Sequence, residues 1–235
     1  EYEIGFGRLL GIPIWSAIGR AYDGVTATAS LSNDARVELF GFQIREEESP
    51  ASTSDEYLAG AWAEFGLGGT RTLHLFGLHD RDNADPRTAR TTLGTEYVAT
   101  SGPVFYRIEA AVQSGQVAGS DLTAASLLAG FARVGFAEGR GTVGLGLERY
   151  GGDATPGPGE TAGFSDLFGR NHRFLGFADL FNDPRANTNG RGLTNLDLRG
   201  TWDLRDGLIL RVDLHRFAVV DDDGLGHLEA DRGGI

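Results

Sequence analysis

The sequence predicts an all-β fold, an antiparallel up-and-down transmembrane β-barrel, on three observations. Strand-length segments of about 9–13 residues recur along the chain, each alternating apolar and polar side chains and ending in a turn. A strand that crosses a bilayer needs about 9–11 tilted residues, whereas strands of ordinary globular sheets average about 5–6. The connections alternate short and long, as in outer-membrane barrels with tight periplasmic turns and longer outer loops. No stretch of the 235 residues approaches 18 consecutive apolar positions, which excludes a helical membrane span.

The strands carry the pattern unequally. In 193–204, Leu193, Asn195, Asp197, Arg199, Thr201 and Asp203 share one face, with Thr194, Leu196, Leu198, Gly200, Trp202 and Leu204 on the other. Leu208, Leu210, Val212 and Leu214 oppose Arg211, Asp213 and His215, with the apolar Ile209 beside them. Val143, Leu145 and Leu147 oppose Gly144, Gly146 and Glu148, and Tyr106, Ile108, Ala110 and Val112 oppose Arg107, Glu109 and Gln113. In a soluble sandwich the apolar face would meet a dry core; in a barrel it meets lipid and the charged face lines a wet lumen. Two segments resist assignment. In 35–46, either Val37, Leu39 and Gly41 or Phe40, Phe42 and Ile44 face lipid, and in 123–136 Arg133 shares a face with Leu127 and Phe131. Aromatics near strand ends (Tyr57, Phe65, Tyr97, Tyr106, Phe136, Trp202) suit interfacial girdles.

Short connections are expected at Asn33-Asp34, Gly66–Thr70, Ser101–Pro103, Ala137–Arg140 and Arg205-Asp206, and longer ones at 10–21, 47–55, 81–88, 116–122 and from 153. His172–Asn182 reads as a strand by itself. A crossing there would put the tight turn at Arg205-Asp206 on the outer side, so 153–191 is read instead as one long extracellular excursion, with folding inward to narrow a pore as an option. About eleven spans result, with a twelfth starting near Gly226–Ala230. The chain has no methionine, opens at Glu1 inside a strand-like pattern and stops at Ile235 just after another begins. The expectation is a single domain over 1–235 that is part of a larger barrel, truncated at both ends.

Composition narrows the chemistry. Cysteine is absent, which excludes thiol catalysis, thiolate-ligated zinc and disulfides. A net charge of −12 argues against nucleic acid as a partner. Much of it comes from acidic clusters in connections: Glu46-Glu47-Glu48, Asp80–Asp85 and Asp221-Asp222-Asp223. These are solvated loops, with calcium or divalent-bridged lipopolysaccharide as the alternative. The histidines His74, His79, His172, His215 and His227 lack metal-ligand spacing. No nucleophile elbow appears. No metal, cofactor or catalytic residue is expected. All 21 basic residues are arginine, and alternation sends Arg107, Arg199 and Arg211 inward. Two readings of these arginines stand: a guanidinium ladder for a passing anion, or pairing across the lumen with Glu109, Glu148, Asp197 and Asp213, with His215 as a lumen hydrogen-bonding group.

The chain resembles the alginate-export family of bacterial outer-membrane barrels through short motifs that keep their order. They are Gly7-Arg8; Trp15 with Gly19-Arg20-Ala21-Tyr22-Asp23-Gly24-Val25; Arg90-Thr91-Thr92-Leu93-Gly94; Tyr106-Arg107-Ile108-Glu109 with Gln113-Ser114-Gly115; Tyr150-Gly151-Gly152-Asp153; Leu175–Phe181; and Leu214-His215-Arg216-Phe217. The resemblance implies a larger parent barrel, adds Arg8 and Arg20 to the lumen arginines, and implies passage of an anionic polysaccharide or smaller solutes. A uronate polymer offers one carboxylate per sugar to such a ladder, and conduction needs attraction strong enough to admit and weak enough to release. Outer-membrane lipid, lipopolysaccharide and periplasmic secretion partners would surround such a channel. A general small-solute porin and a soluble carbohydrate-binding β-domain are the alternatives.

Overall fold

The computed structural model describes residues 2–12, 21–45, 55–123, 125–136 and 139–220. Ten strands of 10–14 residues form the wall: β1 (Asp23–Ser32), β2 (Ala35–Arg45), β3 (Glu56–Gly66), β4 (Arg71–Asp82), β5 (Thr88–Ser101), β6 (Val104–Val117), β8 (Ser126–Phe136), β9 (Gly141–Tyr150), β11 (Leu193–Arg205) and β12 (Leu208–Val219). Each pairs antiparallel with the next in that order, leaving β1 and β12 paired on one side among the described residues. Two short strands, β7 (Ser120–Thr123) and β10 (Glu160–Ala162), lie off this path, with β7 on β6 and β10 parallel to β7.

Turn chemistry fixes one end of the wall. The β11–β12 hairpin closes through Asp206-Gly207, with Gly207 at φ +76°, the left-handed conformation that tight hairpins demand. The β1–β2, β3–β4, β5–β6 and β8–β9 turns share that end, and the longer connections share the other.

Alternation turns the sheet inside out relative to a soluble protein. Leu145 is 56% exposed, Val112 57% and Leu198 45%, and Leu39, Leu75, Leu93, Leu128, Leu196, Leu210, Val212 and Leu214 join them on the outer face. The neighbouring residues point inward and are buried: Glu109, Glu148, Asn195 and Asp197. The ambiguous strand resolves, with Phe40 and Phe42 buried on the inner face and Val37 and Leu39 outward. Arg133 shares the inner face of β8 with Leu127 and Ala129. Tyr97 and Tyr106 meet on the outer face of β5 and β6 with ring centroids 6.0 Å apart.

Inner side chains of β2, β3, β4, β6, β8, β9 and β11 converge on one cluster, so the sheet curls around it. The cluster's centre comes from two non-wall segments. Ile4, Leu9 and Leu10 belong to 2–12; Phe164, Phe168, Phe174 and Leu175 belong to the connection between β9 and β11. The opening segment is therefore an interior strap rather than a wall strand, and ten full spans stand among the described residues where about eleven were expected. The anticipated start of a twelfth near Gly226–Ala230 lies outside the described residues. Leu9 and Leu10 are buried as a consecutive pair, which a two-sided wall strand does not allow. His172–Asn182 forms no strand: it contains the single helical turn α1 (Asn171–Phe174) followed by turns, and α2 (Pro184–Asn187) comes after it. Strap and connection are zipped together, with Arg170 N donating to Gly7 O at 2.8 Å and Phe168 N to Leu9 O at 3.0 Å. The contact is so close that a Cβ on Gly169 would lie 1.8 Å from Arg8 O.

Leu198→Arg should destabilise the barrel by about 2–4 kcal/mol, the cost of a cation on the lipid face near mid-depth. Thr201→Arg, on the inner face, should cost far less. Urea unfolding in lipid vesicles measures both; equal costs would contradict this facing.

Candidate functional site

Four cross-strand rows set the interior chemistry. Toward the middle of the wall, register aligns Glu64, His74, Glu96, Glu109, Ala129, Glu148 and Asn195 across seven strands. The next row, toward the short turns, runs Arg107, Phe131, Gly146, Asp197 and His215. Beyond it come Phe105, Arg133, Gly144, Arg199 and Asp213, then Gly135, Thr142, Thr201 and Arg211. Acidic groups thus sit at mid-height and arginines gather toward the short-turn end.

The acidic row needs a counter-charge, and the strap delivers it. Arg8 is 2% exposed. Its Nε donates to Glu109 Oε2 at 2.8 Å, its Nη2 to Glu148 Oε1 at 2.7 Å and its Nη1 to the Tyr150 hydroxyl at 2.8 Å. Its guanidinium also stacks on Phe174, 4.0 Å from the ring centroid. One cation therefore satisfies two wall carboxylates and clamps strap, wall and connection together. Arg170 repeats the device at smaller scale, reaching Glu3 Oε2 at 2.7 Å. On the next strands, His74 Nδ1 lies 3.0 Å from Glu96 Oε1.

Toward the short turns the interior opens into a cavity of about 390 Å³. Arg133, Arg170, Arg173, Arg199 and Arg211 line it with His172, Phe131 and Phe177, against the single carboxylate of Asp213. A smaller space of about 170 Å³ continues inward past Arg107, Phe6 and Phe105. Arg133 and Arg173 have no carboxylate partner among the described residues; Arg133 lies over Phe105 at 5.2 Å and Arg173 over Phe6 at 5.6 Å. Burial, with Arg170 beside it, pulls the Arg173 guanidinium below the usual arginine range.

The expected lumen residues divide by what they touch. Arg107 stacks over Phe6 at 4.5 Å. Arg199 binds Asp197 at 2.5 Å and donates to the carbonyls of Arg173 and Phe174 at 2.9 and 3.0 Å, so it holds the connection as well as lining the cavity. A Cβ on Gly146 would come within 2.1 Å of Asp197 Oδ2, so any larger residue there would push that carboxylate from its place. Arg211 pairs with Asp213 at 2.9 Å, and its guanidinium lies 4.5 Å from the Phe177 ring. His215 Nδ1 lies 3.1 Å from Asn195 Oδ1, and its ring stacks on Phe217. Arg20 and the clusters Glu46–Glu48 and Asp221–Asp223 lie outside the described residues. Asp80 corrects a loop assignment: it lies within β4, two residues before its end, on the inner face, and takes a two-pronged pair from Arg90 at 3.0 and 2.9 Å.

Sequence reasoning missed Arg170, Arg173 and the clamp on Tyr150. The first two sit on a connection without strand periodicity, so alternation had no purchase on them. Arg133 stands on a strand that alternation leaves unassigned, because the apolar Leu127 and Phe131 share its face. A family model described as alginate export matches residues 1–228. No curated protein matches the chain.

Replacing Arg8 by Ala should cost about 3–5 kcal/mol by stranding two buried carboxylates. Adding Glu109→Gln and Glu148→Gln should recover much of the loss in thermal unfolding; no recovery would refute the clamp. A second test uses Asp166, whose carboxyl burial and nearby Asp183 push up to about 8 from 3.8, with Oδ2 lacking a hydrogen-bond partner. An acid raised in the folded state costs no stability below its unfolded value; stability then falls steadily as pH climbs from that value to the folded one, and no further above it. Protease cleavage within 151–192 should therefore rise as pH climbs from about 4 toward about 8 and level off above it. Asp166→Asn should flatten the rise, and an unchanged profile would refute this origin.

Proposed function

Because the chain belongs to the alginate-export family, outer-membrane β-barrels of Gram-negative bacteria that transport rather than catalyse, we propose that its lumen passes an anionic polysaccharide, alginate-like, or its oligomers, by passive diffusion. The observation that carries this reading is the cavity with five arginines against one carboxylate. Two of those arginines, Arg133 and Arg173, lack a carboxylate partner among the described residues and remain available to a uronate carboxylate. Guanidinium matches the two oxygens of a carboxylate in a planar fork. Phe131 and Phe177 beside them offer flat apolar faces to sugar rings. Orientation follows from loop length: the short-turn end, where the arginines gather, faces the periplasm and the long connections face outward. The segment 153–191 is then an outer excursion folded into the barrel.

The strap and the connection fill the barrel's middle, so passage requires the connection to move. Arg199 holds it by two backbone carbonyls. Its loss should loosen that hold while leaving the wall residue Arg133 in place.

Planar-bilayer conductance of the full-length protein tests both statements. Uronate oligomers should block the current, and Arg133→Gln with Arg173→Gln should weaken the block about tenfold, as expected for two charge-assisted contacts. Arg199→Ala should raise the open-state frequency. Equal permeability to neutral sugars and anions would favour a general small-solute porin instead, and absence of conductance would sink the channel reading.

A further inference from the structure

The outer face of β2–β4 departs from the rest of the wall near the long-connection end. Register aligns Gly41, Ala59 and His79 in one outward row and Gln43, Tyr57 and Arg81 in the next. Small residues hollow the surface: a Cβ on Gly41 would meet no atom within 4 Å. The result is an outward groove of about 480 Å³. One row further toward the short turns lie Leu39 and Leu93, both exposed, so the groove runs straight off the apolar belt. Its lip is polar and cationic. His79 and Arg81 are exposed, His79 Nδ1 lies 3.1 Å from Thr91 Oγ1, and Arg81 Nε donates to Asn83 Oδ1 at 2.7 Å. Two nearby carboxylates among the described residues have partners of their own: Asp55 accepts from the Tyr57 hydroxyl at 3.1 Å, and Asp82 pairs with Arg45 at 3.0 Å.

A groove that starts in hydrocarbon and ends at a guanidinium and an imidazole fits an amphiphile with an acyl chain and an anionic head. We propose that this groove binds one phosphorylated glycolipid of the outer leaflet, an acyl chain lying over Gly41 and Ala59 and the headgroup phosphate at Arg81 and His79. Arg81 keeps its Nη nitrogens for phosphate while Asn83 holds its Nε. Imidazole adds a donor, and the Tyr57 ring supports the sugar at the interface, where amphipathic aromatics are favoured. The choice of leaflet rests on the orientation proposed above; the groove and its cations do not.

Native mass spectrometry of the full-length protein in mild detergent, titrated with lipid A, phosphatidylglycerol or inorganic phosphate, tests the proposal. Lipid A should give one tight adduct that the Arg81→Gln/His79→Gln variant weakens about tenfold. Gly41→Leu, which fills the groove and keeps both cations, should weaken it too. Arg71→Gln, which removes an equal charge from the outer face at the opposite rim, should leave it unchanged. An equal loss in Arg71→Gln, no loss in the double variant, equal binding of phosphatidylglycerol, or retention of phosphate alone would each overturn the assignment. A barrel that conducts nothing would leave this binding result standing, so failure of transport and failure of the lipid site are separable.

Discussion

Hydrocarbon accepts leucine and rejects unpaired backbone and charge, and every other feature of this protein follows from that constraint. From β2 through β11 of the wall, backbone polar groups find partners on both sides in the antiparallel ladders, as membrane-spanning strands require. Side chains split by parity: Leu196, Leu198, Leu210 and Val212 turn outward, and Asn195, Asp197, Asp213 and His215 turn inward. Charge expelled from one face accumulates on the other, so the interior has to neutralise itself.

It does so unevenly. At mid-height the wall presents Glu96, Glu109 and Glu148 in one row, and the compensating arginine comes from the strap rather than from the wall. Nearer the short turns the balance reverses, and arginines outnumber carboxylates around the open cavity. A buried ion pair gives little net stability because desolvation offsets attraction, yet losing one partner is costly. The Arg8 clamp therefore acts as a specifier: it fixes where the strap lies, and through Phe174 it fixes the connection. The same segments that fill the barrel's middle also carry Arg170 and Arg173 to the cavity wall.

Much of the wall was legible because period-two alternation is a direct consequence of lipid outside and charge inside. β6, β9, β11 and β12 could be faced correctly from sequence, and so could Arg107, Glu109, Asp197, Arg199, Arg211, Asp213 and His215. β2 could not, because Phe40 and Phe42 are apolar yet point inward, where the strap makes a dry core that alternation alone does not foresee. The same dry centre explains the misread opening segment. Ile4, Leu9 and Leu10 are apolar because they pack on Phe164 and Phe168, not because they touch lipid. Arg170 and Arg173 were illegible for a related reason, since a segment folded into a lumen follows the shape it fills rather than a repeat.

The inside-out arrangement can be measured directly because the chain contains no cysteine, so single labelling sites are clean. Spin labels placed at Val212→Cys and, separately, at Arg211→Cys in the protein reconstituted into vesicles should report opposite surroundings. Position 212 should respond to lipid-dissolved oxygen and resist an aqueous nickel reagent, with 211 showing the reverse. Oxygen accessibility at 211 together with nickel accessibility at 212 would place the charged face against lipid and contradict the entire arrangement.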